Sequence, residues 1–152
     1  MRRGMWLFVI AGLIGTTASA QSERVVAYEI VNGREIPANL TGAIADSEAG
    51  RALYFDRELT GRSGCHGSPG GPGAQPDTKD QVAPSLEGLA SRMSEGAMRI
   101  WLVAPEVLNP ETAMPSYYQV GQRTDPKDPR FGEPRLSAQE IENLIAYLKR
   151  QK

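Results

Sequence analysis

The sequence predicts a mostly α-helical fold, in which three main helices are separated by long ordered loops and preceded by a short β-hairpin. Three segments, 46–55, 94–103 and 137–149, each combine a capping residue with apolar residues on one face. The connections are rich in glycine and proline, which favour loops. Long loops are uncommon in a compact domain unless something else organises them, so the pattern indicates a large buried group among the helices.

The first twenty residues have the features of a secretory leader. Arg2 and Arg3 precede an apolar run, 5–14, and residues 18–20 (Ala-Ser-Ala) provide a cleavage site. The apolar run is shorter than the roughly 17–25 residues needed to span a bilayer. We therefore expect a signal peptide, 1–20, that is cleaved near Ala20, and a mature protein in an oxidising compartment, a bacterial periplasm.

Length and charge limit what the mature chain can be. We divide it into an N-terminal extension, 21–45, and a main domain, 46–152, together the size of one ordinary domain. Large apolar residues are few for this length, and an apolar cofactor would compensate. Two arginines leave with the leader, so the formal net charge goes from −1 to −3. This mild acidity argues against nucleic acid or an anionic membrane as a partner.

The hairpin is predicted near the start of the extension. Residues 25–36 (VVAYEIVNGREI) hold two β-prone runs on either side of Asn32-Gly33, a strong signal of a type I′ turn. Pro37 ends the second run.

The first helix is predicted over 46–55, with Asp46 or Ser47 as its N-cap. Gly50 lies in its interior, where glycine costs about 1 kcal/mol relative to alanine. That cost is expected only where another element has to pack closely.

The second helix is predicted over 94–103, with Ser94 as its N-cap and Pro105 as its stop signal. We interpret Met93 and Met98 as core residues. The apolar face of this helix consists of Ala97, Ile100 and Trp101.

The third helix, 137–149, has the clearest signal. Ser137 and Glu140 form a capping box. We interpret Glu140 and Glu142 as a solvated helix face. The apolar stripe, at helical spacing, consists of Ile141, Leu144, Ile145 and Leu148.

The candidate site begins with two neighbours, Cys65 and His66, the only cysteine and the only histidine of the chain. A thiol can add to a haem vinyl group, and the adjacent imidazole can then ligate the iron. Met114 can supply a thioether to the other axial position; it lies in an irregular segment, where packing periodicity does not explain it. The usual attachment signature is C-x-x-C-H, but here Arg62 takes the place of the first cysteine.

Other chemistry has weaker support. Residues 68–73 are rich in glycine but lack the Lys-Ser/Thr of a phosphate-binding loop. A Cys65–His66 catalytic dyad is unfavourable, because adjacent side chains in a turn rarely converge and no third group is evident. We predict no catalytic residue.

These features together resemble the class I c-type cytochromes over nearly the whole mature chain. The stretches that carry the resemblance are the helix around Gly50, Cys65-His66, 84–86, Met114-Pro115 and 145–148. The resemblance implies a class I cytochrome c fold with one haem c. Cys65 would hold the haem covalently, and His66 and Met114 would be its axial ligands. It further implies that the Pro84 carbonyl accepts the His66 Nδ1–H, and that the helices around Gly50 and Ala146 cross closely.

More narrowly, the chain resembles the SoxX family of monohaem cytochromes, on the stretches 36–42, 84–92 and 109–118. This resemblance implies a non-catalytic electron-transfer subunit of a complex of the L-cysteine S-thiosulfotransferase type. Its partners would be a SoxA-like cytochrome, in a heterodimer, and a downstream acceptor cytochrome. Thiosulfate would be conjugated to a carrier-protein cysteine at the partner's haem. Two alternatives stay open, a free-standing monohaem electron carrier of another respiratory pathway and a haem-deficient structural homologue.

SoxX proteins normally have both cysteines, so Arg62 is a local departure from the family pattern. We predict attachment through one thioether at Cys65. The alternatives are a non-covalent haem and a chain without haem. Arg62 is also a candidate partner for a haem propionate, because arginine makes bidentate contacts with carboxylates.

Overall fold

The structure is a computed structural model that describes residues 25–56, 58–59, 65–66 and 83–151. The predicted leader, Arg62 and the glycine-rich loop 67–82 lie outside the described residues. The helices that it describes are α1 (Ser47–Phe55), α2 (Leu89–Arg92), α3 (Glu95–Val103), α4 (Pro105–Leu108) and α5 (Ala138–Leu148). The three main helices of the prediction are therefore confirmed as α1, α3 and α5.

The predicted caps begin these helices. Asp46 caps α1, and its Oδ1 accepts hydrogen bonds from the amides of Glu48 and Ala49 at 2.8 and 3.2 Å. Ser94 Oγ accepts the Ala97 amide at the start of α3. The capping box of Ser137 and Glu140 is complete at the start of α5. Each cap satisfies amide donors that have no partner inside the helix.

Pro105 has a second role besides its predicted one. Helix α3 does end before it, at Val103, but Pro105 is the first residue of the short helix α4. Proline suits this position because its missing amide hydrogen would have no helical acceptor there.

The predicted β-hairpin is wrong. Asn32 and Gly33 do form a turn with positive φ angles of 53° and 63°, but it leads only to an isolated antiparallel bridge between Val31 and Glu35. The described residues contain no β-sheet. After the turn, the Ile36 amide donates to the carbonyl of Gly96 in α3 at 3.0 Å. The chain after the turn thus packs on the helical core. A two-stranded hairpin by itself would be only marginally stable.

Helices α1 and α5 cross closely at Gly50. A Cβ atom added to Gly50 would lie 1.9 Å from the carbonyl oxygen of Asn143 in α5. Asn143 also accepts the Asp46 amide through its Oδ1 at 2.8 Å. Two tyrosines, Tyr54 and Tyr147, pack across the same interface with ring centroids 5.3 Å apart. Burial, as the largest cause, raises the pKa of Tyr147.

A buried ion pair corrects the interpretation of Glu142 as a solvated residue. Its side chain is 2% exposed and accepts two hydrogen bonds from the Arg99 guanidinium, at 2.7 and 2.9 Å. Glu142 also accepts the Leu40 amide at 2.9 Å, and Arg99 donates to the Ile36 carbonyl at 2.6 Å. The pair therefore joins α3, α5 and the N-terminal extension.

Among the described residues no helix is long and apolar enough to cross a membrane.

Candidate functional site

A mostly apolar cavity of about 430 Å³ lies beside α3, within the range of roughly 300–1,000 Å³ that is usual for ligand pockets. Segment 83–93 forms one part of its wall, α3 another, and segment 112–114 a third. The cavity is lined by His66, Ala83, Pro84, Ser85, Leu86, Leu89, Arg92, Met93, Met98, Trp101, Leu102, Thr112, Ala113, Met114 and Leu148.

His66 is oriented by the backbone of the facing segment. Its Nδ1 lies 2.8 Å from the carbonyl oxygen of Pro84. A carbonyl oxygen can only accept, so Nδ1 is the donor and the ring's lone pair is on Nε2. Next to it, the amide of Ala83 donates to the Cys65 carbonyl at 3.2 Å. These two contacts hold residues 65–66 against residues 83–84.

Cys65 is exposed and is not one of the residues that line the cavity. It is covalently adjacent to His66, which does line it. The sequence-predicted site residues His66, Pro84 and Met114 are therefore brought together at one cavity, with Cys65 beside it.

Met114 reaches the cavity from an irregular segment. It is half-buried and packs against the hydrophobic core. Its amide donates to Thr112 Oγ1 at 3.1 Å. Downstream, the Tyr117 amide donates to the Leu102 carbonyl of α3 at 2.9 Å. The segment is thus held along the wall that α3 provides.

Sequence reasoning missed several lining residues. Met98 is a buried core residue, as predicted, and Met93 is partly buried against the core, but both also line the cavity. Helical spacing already explains Met98, so no sequence signal singled it out. Trp101 was placed only on an apolar face, and its position in the cavity wall depends on the packing of α3.

The lining includes one arginine, Arg92. Its guanidinium donates to the carbonyls of Ser85 and Glu87, at 3.0 and 2.7 Å. These bonds fold segment 85–92 into a compact turn beside His66. Arginine therefore contributes a positive charge at the edge of an otherwise apolar site.

The donor set can be compared with the groups that such a cavity could hold. It combines an imidazole with a directed Nε2, thioether sulfurs and an apolar wall. Among the described residues no group of three or more His, Cys, Asp or Glu side chains could hold a bare metal ion. The residues present fit a large apolar ring that carries its own metal, because imidazole and thioether are the axial ligands of many haem proteins.

Comparisons with known proteins bear on the same residues. A sequence model of the cytochrome c family matches residues 47–152, a range that contains Cys65, His66, Pro84 and Met114. Among solved structures, the chain is similar to a chain in the crystal structure of SoxXA from P. pantotrophus, with a TM-score of 0.61 and 27% sequence identity. The match covers 82% of this chain and 94% of that chain. A search of curated proteins finds no match.

Proposed function

The chain belongs to the cytochrome c family, and from this premise we propose that it is the monohaem electron-transfer subunit of a periplasmic SoxAX-like complex. Membership in the family implies covalently bound haem c, which supplies one-electron exchange between Fe(III) and Fe(II) when bound. The observation that carries the proposal is the apolar cavity that His66 and Met114 both line, with His66 bonded to the Pro84 carbonyl at 2.8 Å. One Cys-His pair in the sequence supports one haem.

We assign the proximal axial ligand to His66. The Pro84 carbonyl holds the Nδ1 proton, which keeps the neutral ring in one tautomer and leaves the lone pair on Nε2, the atom that would bind the haem iron. This hydrogen bond also makes Nε2 a stronger electron-pair donor, because the Pro84 carbonyl partly draws the Nδ1 proton away and leaves more electron density on the ring.

The second axial ligand is assigned to Met114. Three methionines line the cavity, but Met114 lies in an irregular segment and precedes Pro115, which restricts the backbone there. A soft thioether opposite imidazole favours Fe(II) over Fe(III) and so raises the reduction potential.

Cys65 is assigned the covalent attachment. Its exposed thiol would hold the haem through one thioether, an addition in which sulfur would bond to one vinyl carbon and the thiol hydrogen would go to the other. This addition is redox-neutral. Since Arg62 stands at the other attachment position, one vinyl group stays unsaturated in this proposal.

The partner and the reaction are proposed from the similarity to SoxXA. In this proposal a SoxA-like cytochrome carries out the conjugation of thiosulfate to a carrier-protein cysteine. The present chain is non-catalytic; it accepts electrons from that subunit and passes them to a downstream cytochrome. The mostly apolar lining of the cavity supports this role because it would shield a redox centre from water.

Attachment is tested on protein exported to a bacterial periplasm together with a haem-attachment system. Mass spectrometry should show the mature chain plus one haem, and the pyridine haemochrome band should lie to the red of an ordinary c-type band because one vinyl group is intact. Arg62→Cys should move the band to the ordinary c-type position, and Cys65→Ser should abolish covalent haem. A colourless product at the bare apoprotein mass would overturn the assignment and favour the haem-deficient alternative.

The partner is tested separately. The haem-loaded chain should copurify with a coexpressed SoxA-like cytochrome, and reduction of that partner should be followed by reduction of this chain. If the chain is loaded and reducible but stays monomeric in the presence of the partner, the free-standing carrier is the better description.

A further inference from the structure

The segment that carries Met114 has few local means of holding its position. It lies outside the described helices, and its next residue, Pro115, has no amide hydrogen to donate. On the upstream side the Met114 amide makes a hydrogen bond with Thr112 Oγ1. The downstream position of Met114 therefore depends on bonds that begin at Ser116.

Ser116 makes hydrogen bonds in two directions. Its Oγ donates to the carbonyl of Val103 at 2.6 Å and accepts the Tyr118 amide at 3.3 Å. Val103 is the last residue of α3, where helix carbonyls lack partners inside the helix. Helix α3 also supplies three residues to the cavity wall, Met98, Trp101 and Leu102. The serine hydroxyl thus fixes the Met114 segment to the end of α3, the helix that provides part of the cavity wall.

Gln122 supports the same point from the following loop. Its Nε2 donates to the Ser116 carbonyl at 2.5 Å. Its Oε1 is buried and has no hydrogen-bond partner in the part of the chain that the structure describes. Leaving a buried amide oxygen without a hydrogen-bond partner costs free energy. The side chain keeps this orientation despite that cost, because only its amide nitrogen can donate to the Ser116 carbonyl.

We propose that Ser116, supported by Gln122, positions the Met114 thioether in the cavity and thereby tunes the redox centre. The inference rests on the proposed function, since it takes Met114 as the iron ligand. Without the Ser116 hydroxyl, the segment loses its hydrogen bond to the Val103 carbonyl, keeps the one from the Tyr117 amide to the Leu102 carbonyl, and moves more freely. Met114 would then bind the haem iron less firmly, and the preference for Fe(II) that its thioether would provide would be reduced.

The test uses the haem-loaded chain and four variants. Ser116→Ala removes the hydroxyl and Ser116→Thr retains it. Gln122→Met removes the amide while leaving the Ser116 hydroxyl in place. The matched control is Ser91→Ala, because Ser91 Oγ also donates to a backbone carbonyl, that of Gly88, at 2.7 Å.

Three quantities are measured, the temperature at which the sulfur-to-iron charge-transfer band disappears, the reduction potential, and amide hydrogen exchange at Met114 and Tyr117. In Ser116→Ala we expect earlier loss of the band at an almost unchanged far-UV melting temperature, a lower potential and exchange about tenfold faster, as expected for one lost hydrogen bond. Ser116→Thr should keep all three quantities at the values of the parent chain. Gln122→Met should change them in the same direction as Ser116→Ala. Ser91→Ala should match the parent chain.

The inference and the proposed function fail in different ways. If Met114→Ala leaves the band and the potential unchanged, Met114 is not the ligand and the site assignment is wrong. If Met114→Ala removes the band while Ser116→Ala and Gln122→Met behave like Ser91→Ala, only the positioning role is overturned. If Ser116→Ala does not fold, Gln122→Met decides by the same comparison.

Discussion

His66 and Met114 reach one cavity from positions 48 residues apart in the chain. The histidine is held by a backbone carbonyl 18 residues away, and the methionine lies in a segment that is bound to the end of α3. Two further methionines, Met93 and Met98, share the lining. At the scale of residues, the choice among three thioethers is therefore the sharpest question that the site poses.

We expect Met114→Ala to lower the reduction potential of the haem-loaded protein and to abolish the sulfur-to-iron charge-transfer band, because a thioether ligand supports both. The control is Met98→Leu, which keeps an apolar side chain of similar volume at a buried lining position, 2% exposed. Visible absorption and potentiometry make the measurement. A band that survives in Met114→Ala and vanishes in Met98→Leu or Met93→Leu would move the ligand to that residue.

At the scale of elements, the crossing of α1 and α5 at Gly50 is the most constrained contact in the described fold. The predicted helix contained a glycine without a local reason, and the structure provides the reason in the Asn143 carbonyl. Aromatic rings close the same interface, including an edge-to-face pair of Phe55 in α1 and Tyr147 in α5 with centroids 6.4 Å apart. The close approach of the two backbones at Gly50 and the aromatic packing thus belong to one interface.

Gly50→Ala should destabilise the protein by about 1–3 kcal/mol, the usual cost of overpacking. The sign is informative, because alanine in a helix interior otherwise stabilises by roughly 1 kcal/mol over glycine. Chemical denaturation of the haem-loaded protein, followed by far-UV circular dichroism, measures the difference. If Gly50→Ala proved more stable than the parent chain, the helices would not approach as closely as described.

The loop before α5 carries a pH-dependent contact. The Arg130 amide donates to Asp128 Oδ1 at 2.8 Å, and the Arg123 guanidinium also contacts this carboxylate. The hydrogen bond from the Arg130 amide is the largest cause that lowers the pKa of Asp128 below its ordinary value, and the Arg123 contact lowers it further. The carboxylate is therefore favoured in the folded state. Its contribution to stability is present above the ordinary pKa and is lost as pH falls through the lowered one.

We expect the melting temperature of the parent chain to fall more steeply than that of Asp128→Asn between about pH 5 and pH 2. Asparagine keeps an acceptor for the Arg130 amide but has no charge to titrate. The melting temperatures of the two chains should converge at the acid end of this range. Parallel pH profiles would show that this carboxylate does not contribute to acid unfolding.

At the scale of the whole molecule, the Arg99–Glu142 pair connects parts of the chain that are far apart in sequence. Arg99 lies in α3 and Glu142 in α5, and together they bind the Ile36 carbonyl and the Leu40 amide of the extension. The side chains of Ile36 and Leu40 are themselves buried. Ile36 and Leu40 therefore join the described part of the extension to the core.

Glu142→Gln should destabilise the fold by about 3–5 kcal/mol, because it leaves the buried Arg99 charge without its counter-ion. The control is Glu95→Gln, which removes an exposed carboxylate that pairs with Lys149 and should cost at most about 1 kcal/mol. Denaturant unfolding measures both. Equal effects of the two variants would mean that the buried pair is not important for stability.

Hydrogen exchange separates a local from a global effect of the same change. In Glu142→Gln the exchange of the Leu40 amide should speed up, relative to the parent chain, more than that of amides in the middle of α5, because the charged acceptor of the Leu40 amide becomes a neutral one.

Signals that act over a few neighbouring residues were sufficient to predict the three main helices, their caps, the Cys65–His66 pair and the Met114 candidate. Caps and apolar periodicity are local, and the Cys-His adjacency is covalent. The β-hairpin failed because a local turn signal cannot say what the flanking chain will bind, and here Ile36 binds Gly96. The burial of Glu142, the partner of Gly50 and the cavity wall around Trp101 all depend on residues dozens of positions apart that meet only when the helices pack.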